Sequence, residues 1–137
     1  MISGLVVHAS VGAAWLLPEE ATGYSEAMLH ATAEKQVWVP VLWLLETGNL
    51  LINAQRCKRI DAAKRRELVL AASALRLRID HESVSMTDLD ELASDHGLTA
   101  YEAAYLELAI RRSLPLATLD AAVRKAMKAC GVALAEA

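Results

Sequence analysis

Apolar positions along the chain fall into two kinds of run, and the two alternate. Gly4–His8 (GLVVH) is short and β-branched and predicts a buried strand. Ser10 suits a helix N-cap, and Val11–Leu17 predicts a short helix stopped by Pro18. Thr22–Lys35 carries Ala27, His30, Ala31 and Glu34 at helical spacing. Gln36–Val39 predicts a second strand. Pro40 suits a helix start, and Val41–Arg56 a long apolar helix. Asp61–Arg78 reads as a helix rich in Ala, Leu and bases, followed by a third strand at Ile79–Val84. Thr87 caps a helix ending at Gly97, and Thr99 opens another that runs to Arg112. Leu116–Leu119 is a fourth strand. Ala121–Cys130 is a last helix closed by Gly131, with an edge strand at Val132–Leu134.

Strands separated by helices call for a parallel sheet covered on both faces. Composition supports this: 55% of residues are hydrophobic but only 4% aromatic, and Ala and Leu supply 48 of 137 residues. Such a chain favours helices and argues against an all-β sandwich. It contains no linker, repeat or low-complexity tract, so residues 1–137 read as one domain. A chain of this length buries roughly 68–70% of its unfolded surface, enough for a core without disulfides.

Charge and cysteine content narrow the function classes. Cys57 and Cys130 lie 73 positions apart, far from any metal or redox spacing, and predict buried or half-buried thiols. No base precedes Lys35 and no apolar run approaches membrane-helix length, so a cytoplasmic protein without a membrane contact is the expectation. The formal net charge of −3 speaks, as a sum, against a nucleic-acid binder.

Four polar residues sit in apolar places. His8 closes the first strand and Asp120 the fourth. Glu46 lies inside VPVLWLLETGNLLINA, and Glu102 lies in the first turn after Thr99. Glu46, Asn49 and Asn53 form one polar stripe on an apolar helix. A bare buried carboxylate there is costly, so Glu46 is paired, protonated or metal-bound, or its face meets water. Asp120 shares a strand face with Thr118 and is equally a good N-cap for the helix that follows. Thr99-Ala-Tyr-Glu102 is a capping box, which explains Glu102 without any site. A lone strand-end histidine is commonly a hydrogen-bonded structural residue.

Taken together, these segments resemble the PIN-domain nucleases, in particular the VapC-type toxins of bacterial toxin–antitoxin pairs. LVVHASVGAAWLLPEE resembles the family's V-D-A-S opening followed by L-x-x-E-E. VPVLWLLETGNLL resembles its second motif, and LTAYEAAYLELAIRRSLPLATLDAAVRKAMKACGV its Y-D-A-x-Y-x-x-L-A and L-x-T-x-D stretch. The resemblance implies an α/β, PIN-like three-layer sandwich with a central parallel sheet of four to five short strands. It implies a metal-dependent endoribonuclease of a type II toxin–antitoxin pair, using Mg²⁺ or Mn²⁺. The implied acidic set is position 8, Glu46, Glu102 and Asp120, supported by Ser10, Asn49 and Thr118. It also implies a VapB-like antitoxin partner and a homodimer. Trp15, Leu16, Leu17, Trp38 and Trp43 offer apolar surface for an interface or for the core.

The chain departs from the family pattern twice. Glu102 stands where the family usually has Asp, and His8 stands where it has its first Asp. Hard cations prefer carboxylate oxygen, whereas imidazole suits Zn, Cu, Fe or Ni. His8 therefore predicts weak Mg²⁺ binding and impaired or abolished RNA cleavage, the alternative being an inactive PIN module that binds antitoxin or RNA. A protonated His8 would instead pair with Glu46 or Asp120. Eight of the 14 bases lie between Arg56 and Arg78, and a second group includes Arg111, Arg112, Arg124, Lys125 and Lys128. These are solvated faces or RNA backbone contacts, with Arg65, Arg66, Arg111 and Arg112 the candidates for the latter.

Overall fold

A computed structural model describes residues 3–137. Its strands are β1 (Gly4–Val7), β2 (Gln36–Pro40), β3 (Leu77–Asp80) and β4 (Leu116–Ala117). They form one parallel sheet in the order β3-β2-β1-β4. The helices are α1 (Ala9–Leu16), α2 (Gly23–Ala31), α3 (Val41–Arg56), α4 (Ala62–Ser73), α5 (Met86–His96), α6 (Ala100–Arg112) and α7 (Ala121–Cys130), with a 3-10 turn at Pro18–Glu20. This is the α/β, PIN-like architecture expected from the sequence. Among the described residues, no helix is long and apolar enough to cross a membrane.

Helices cover both faces of the sheet, so its central strands are apolar on both sides. Leu5, Val6, Val7, Val37, Val39, Leu116 and Ala117 are all buried, joined by Tyr105, Leu106 and Leu108 from α6 and Val123 from α7. The apolar surplus noted in the sequence goes largely into this packing: Leu16, Leu17 and Trp43 are buried, and Trp15 and Trp38 are half-buried. The Trp43 indole lies against the backbone of α1 at Gly12. A Cβ on Gly12 would stand 2.8 Å from Trp43 Nε1 and Cζ2, so a side chain there has no room.

Several boundaries differ from the sequence expectation. His8 leaves the strand and is itself the N-cap of α1, its ring accepting from the Ser10 N–H, so Ser10 is not the cap. The expected Thr22–Lys35 helix ends at Ala31, after which the chain turns into β2. The Asp61–Arg78 helix stops at Ser73 because Leu77–Asp80 must extend to pair with Val37–Pro40. The third strand therefore begins and ends earlier than Ile79–Val84. Ser85, not Thr87, caps α5. Leu116–Leu119 shortens to two residues, since Thr118 turns to side-chain bonding. The Val132–Leu134 edge strand reduces to one bridge, Leu116 to Leu134. Cys57 is exposed rather than buried, and Cys130 is half-buried with its thiol 3.2 Å from His96 Nε2.

The edge strand β3 is tied to α6 by charge. Asp80, with 3% of its side chain exposed, receives Arg111 as a fork (Nη1–Oδ1 3.1 Å, Nη2–Oδ2 2.7 Å) and Arg112 Nη2 at 2.9 Å. Arg111 also donates to Glu107 and Glu82, and the Arg112 guanidinium lies 3.6 Å from the Trp38 ring centroid. The Arg111 hydrogen bonds, aided by Arg112, hold the Asp80 carboxyl below its ordinary pKa of 3.8.

Two outcomes follow from this packing. Gly12→Ala forces the Trp43 indole or α1 to shift, and urea unfolding should show a loss of about 1–3 kcal/mol. Asp80→Ala should cost about 3 kcal/mol at pH 7, since a buried pair is broken on one side. Because the folded pKa of Asp80 is depressed, its contribution is complete above 3.8 and is lost as pH falls through the folded value. The gap between parent and variant should therefore narrow in acid, and a constant gap would count against the ion-pair account.

Candidate active site

The sheet order reverses at β1. The chain runs outward from β1 through β2 to β3, and β4 then returns to the other side of β1. In open parallel sheets, sites form at such a point, beyond the carboxyl ends of the strands. His8 follows β1 there and Thr118–Asp120 follow β4.

Hydroxyl groups tie the two strand ends together. His8 Nδ1 lies 2.8 Å from Ser10 Oγ and 3.1 Å from Thr118 Oγ1. Ser10 Oγ accepts from the Leu119 N–H at 2.9 Å, and Thr118 Oγ1 accepts from the Asp120 N–H at 3.0 Å. Ser10 and Thr118, the expected supporting residues, thus both bond to His8. Both shape the site by fixing His8 and the backbone before Asp120.

The carboxylates arrive from three helices. Asp120 is the N-cap of α7, its Oδ1 accepting from the Val123 N–H at 2.9 Å. Glu102 is the third residue of α6 and closes the capping box, accepting from the Thr99 N–H at 2.8 Å. Glu46, half-exposed on α3, accepts from the Tyr105 hydroxyl at 2.7 Å. Asn49 and Asn53 continue its stripe into solvent. Asp120 and Glu102 are both caps, and the charge of each opposes the lowering of the His8 pKa.

Tyr105 is the member that sequence reasoning did not single out. It is buried, donates to Glu46, and sets its ring edge-on to His8 at a centroid distance of 4.7 Å. Its place three residues after Glu102, on the same face of α6, was the available signal. Burial, reinforced by the Glu46 contact, raises the Tyr105 phenol far above its ordinary pKa, so it remains a donor.

His8 is 8% exposed, and burial lowers its pKa below 6.5, outweighing the opposing pull of Glu46, Asp120 and Glu102. The ring is therefore neutral at pH 7, and the protonated His8 paired with a carboxylate is not the form favoured here. The Ser10 backbone N–H can only donate, so Nδ1 accepts and the proton sits on Nε2. That ring presents an N–H, not a lone pair, to its surroundings.

As they stand, these side chains do not form a ready-made site for a divalent cation. Among the described residues, no group of three His, Cys, Asp or Glu side chains is placed to hold a metal ion. Glu102 and Asp120 each have an oxygen turned to a helix N-terminus, and His8 offers a donor where the family pattern has a carboxylate.

The basic candidates are dispersed. Arg111 and Arg112 are committed to Asp80, Glu82 and Glu107. Arg65 donates to Gln55 on the neighbouring helix, and Arg66 is exposed on α4.

In an NMR titration the His8 ring should turn over below pH 6.5, and Glu46→Gln should move it lower still, because Glu46 opposes the shift. As the folded value is the depressed one, the associated stability is complete above pH 6.5 and is lost as pH falls through the folded value. A midpoint above 6.5 would show an ion-paired imidazolium instead.

No protein-family model matches the chain, and no curated protein matches it in sequence. Solved structures similar to it include two of the same fold. The crystal structure of PAE2754 from Pyrobaculum aerophilum superposes with a TM-score of 0.69 at 25% identity, covering 90% of this chain and 79% of that one. The crystal structure of FitAcB from Neisseria gonorrhoeae superposes with a TM-score of 0.59 at 19% identity over 95% of both chains, a likeness of fold alone.

Proposed function

We propose that the chain is a nuclease-type toxin of a toxin–antitoxin pair, with a VapC-like site directed at RNA, and that as it stands it cleaves RNA weakly or not at all. One observation carries this reading: a buried His8, held by Ser10 and Thr118, occupies the end of β1 where the family pattern has its first Asp. The resemblance of the motifs and the PIN-like fold shared with PAE2754 support the nuclease class. Mg²⁺ or Mn²⁺ belongs to this reading as the cofactor that a carboxylate at position 8 would favour, with its affinity in this chain weakened by His8. A VapB-like antitoxin and a homodimer belong to it as partners, by resemblance.

A second reading is an inactive PIN module that binds antitoxin or RNA. The observation favouring it is the absence, among the described residues, of a side-chain group fit for a metal.

The test is a paired cleavage assay of the parent and His8→Asp on structured RNA, with Mg²⁺ or Mn²⁺ and a chelator control. The expected outcome is little cleavage by the parent and a chelator-sensitive gain of about 100-fold in the variant, the scale at which a positioned site responds to a misplaced group. Equal, strong, chelator-sensitive cleavage by both would sink the impaired-toxin reading. Cleavage by neither would leave the binding module.

A further inference from the structure

An acidic site that takes RNA faces an electrostatic difficulty. Glu46, Glu102 and Asp120 all act on His8, so the same end of the sheet repels phosphate unless a cation stands beside it. The two arginines at the end of α6 cannot serve, since Asp80, Glu82 and Glu107 hold them.

Arg124 can. It lies one turn after Asp120 on the same side of α7, its N–H bonded to the Asp120 carbonyl at 3.0 Å. Its side chain reaches back so that Nε donates to the Thr118 carbonyl at 2.9 Å. Thr118 is the residue whose hydroxyl touches His8. The guanidinium lies 5.1 Å from the Tyr24 ring centroid, and Tyr24 is fixed by its own hydroxyl bond of 2.7 Å to the Ala135 carbonyl. Burial raises the Tyr24 phenol to about 12, so the ring beside Arg124 stays neutral. Among the described residues Arg124 makes no ion pair. Nε and one face of the guanidinium are engaged, which leaves its terminal nitrogens for a ligand.

We propose that Arg124 is the phosphate-positioning residue of this site, holding a backbone phosphate of single-stranded RNA at the rim beside Thr118 and Asp120. The inference rests on the reading of the site as RNA-directed. It replaces Arg111 and Arg112 in that role. The contact is metal-independent. The exposed side chain is restrained by the Thr118 carbonyl and the Tyr24 ring, so less conformational entropy is lost on binding than for a solvated lysine. A phosphodiester offers the anionic oxygens that a guanidinium fork pairs with by charge-assisted hydrogen bonds.

The test is fluorescence anisotropy of a labelled single-stranded oligoribonucleotide with the full chain in EDTA, repeated over a range of salt. The variants are Arg124→Gln, Arg124→Lys and Lys125→Gln, the last an exposed neighbour that loses the same charge. Arg124→Gln should weaken binding about tenfold and reduce the log–log salt slope by about 0.7, the loss of one single-strand phosphate contact. Lys125→Gln should stay within about twofold of the parent, and Arg124→Lys should keep the slope at reduced affinity. Equal effects of Arg124→Gln and Lys125→Gln on affinity and slope would overturn the assignment while the RNA reading stands. No binding of RNA by the parent at low salt would overturn both. Circular dichroism checks the fold of each variant, and if Arg124→Gln fails to fold, Arg124→Lys against Lys125→Gln decides. Parent-like affinity in Arg124→Lys would then overturn the pinned fork.

Discussion

Burial of the sheet on both faces is the constraint from which the site follows. Parallel strands reached by helical crossovers have no wet face, so β1 and β4 carry only apolar side chains along their length. Polar chemistry is displaced to the strand ends, where helices begin. His8 and Asp120 are each the N-cap of the helix that follows its strand, and Glu102 completes the capping box of a third helix. Unpaired N–H groups and the positive ends of three helices therefore meet the residues that also form the site.

This placement makes His8 an electrostatic compromise. Three carboxylates favour its protonation, burial opposes it, and burial is the larger effect. The hydroxyls of Ser10 and Thr118 then fix the neutral ring, and Tyr105 braces both His8 and Glu46. An Asp at that position would carry charge and oxygen ligands into the same cage. The imidazole carries neither, and each surrounding acid accepts one bond, from a backbone N–H or from a phenol.

Positive charge is divided by location. At the sheet edge, Arg111 and Arg112 gather Asp80, Glu82 and Glu107 into a cluster that fastens β3 to α6. Breaking one side of so buried a pair costs far more than removing an exposed ion pair such as Lys64–Glu67. At the site, Arg124 is held by a carbonyl and an aromatic face rather than by an acid, and keeps its charge available. A net charge of −3 conceals this division, because the sum contains no positions.

Much of the fold was legible in the chain. The alternation of short β-branched runs with helical periodicity specified a parallel α/β sheet, and Val41–Arg56 and Ala121–Cys130 appear with the expected bounds. Some caps were readable, as at Thr99 and Asp120, whereas two fell two residues before the expected position, at His8 and Ser85. Strand ends were not readable, because a strand is as long as its neighbour allows: Leu77–Asp80 is extended only where β2 is there to pair with it. The four candidate residues were visible as polar positions out of pattern, since a polar group among apolar ones costs free energy unless something compensates it. Glu102 and Asp120 are compensated by local caps, whereas Glu46 and much of His8 depend on tertiary contact. Tyr105 meets Glu46 across 59 residues and Thr118 meets His8 across 110. Asp80 claims Arg111 and Arg112 from more than 30 residues away. Periodicity and capping act within a turn or two of chain, whereas burial, ion pairing and a histidine's proton depend on which distant segments fold against one another.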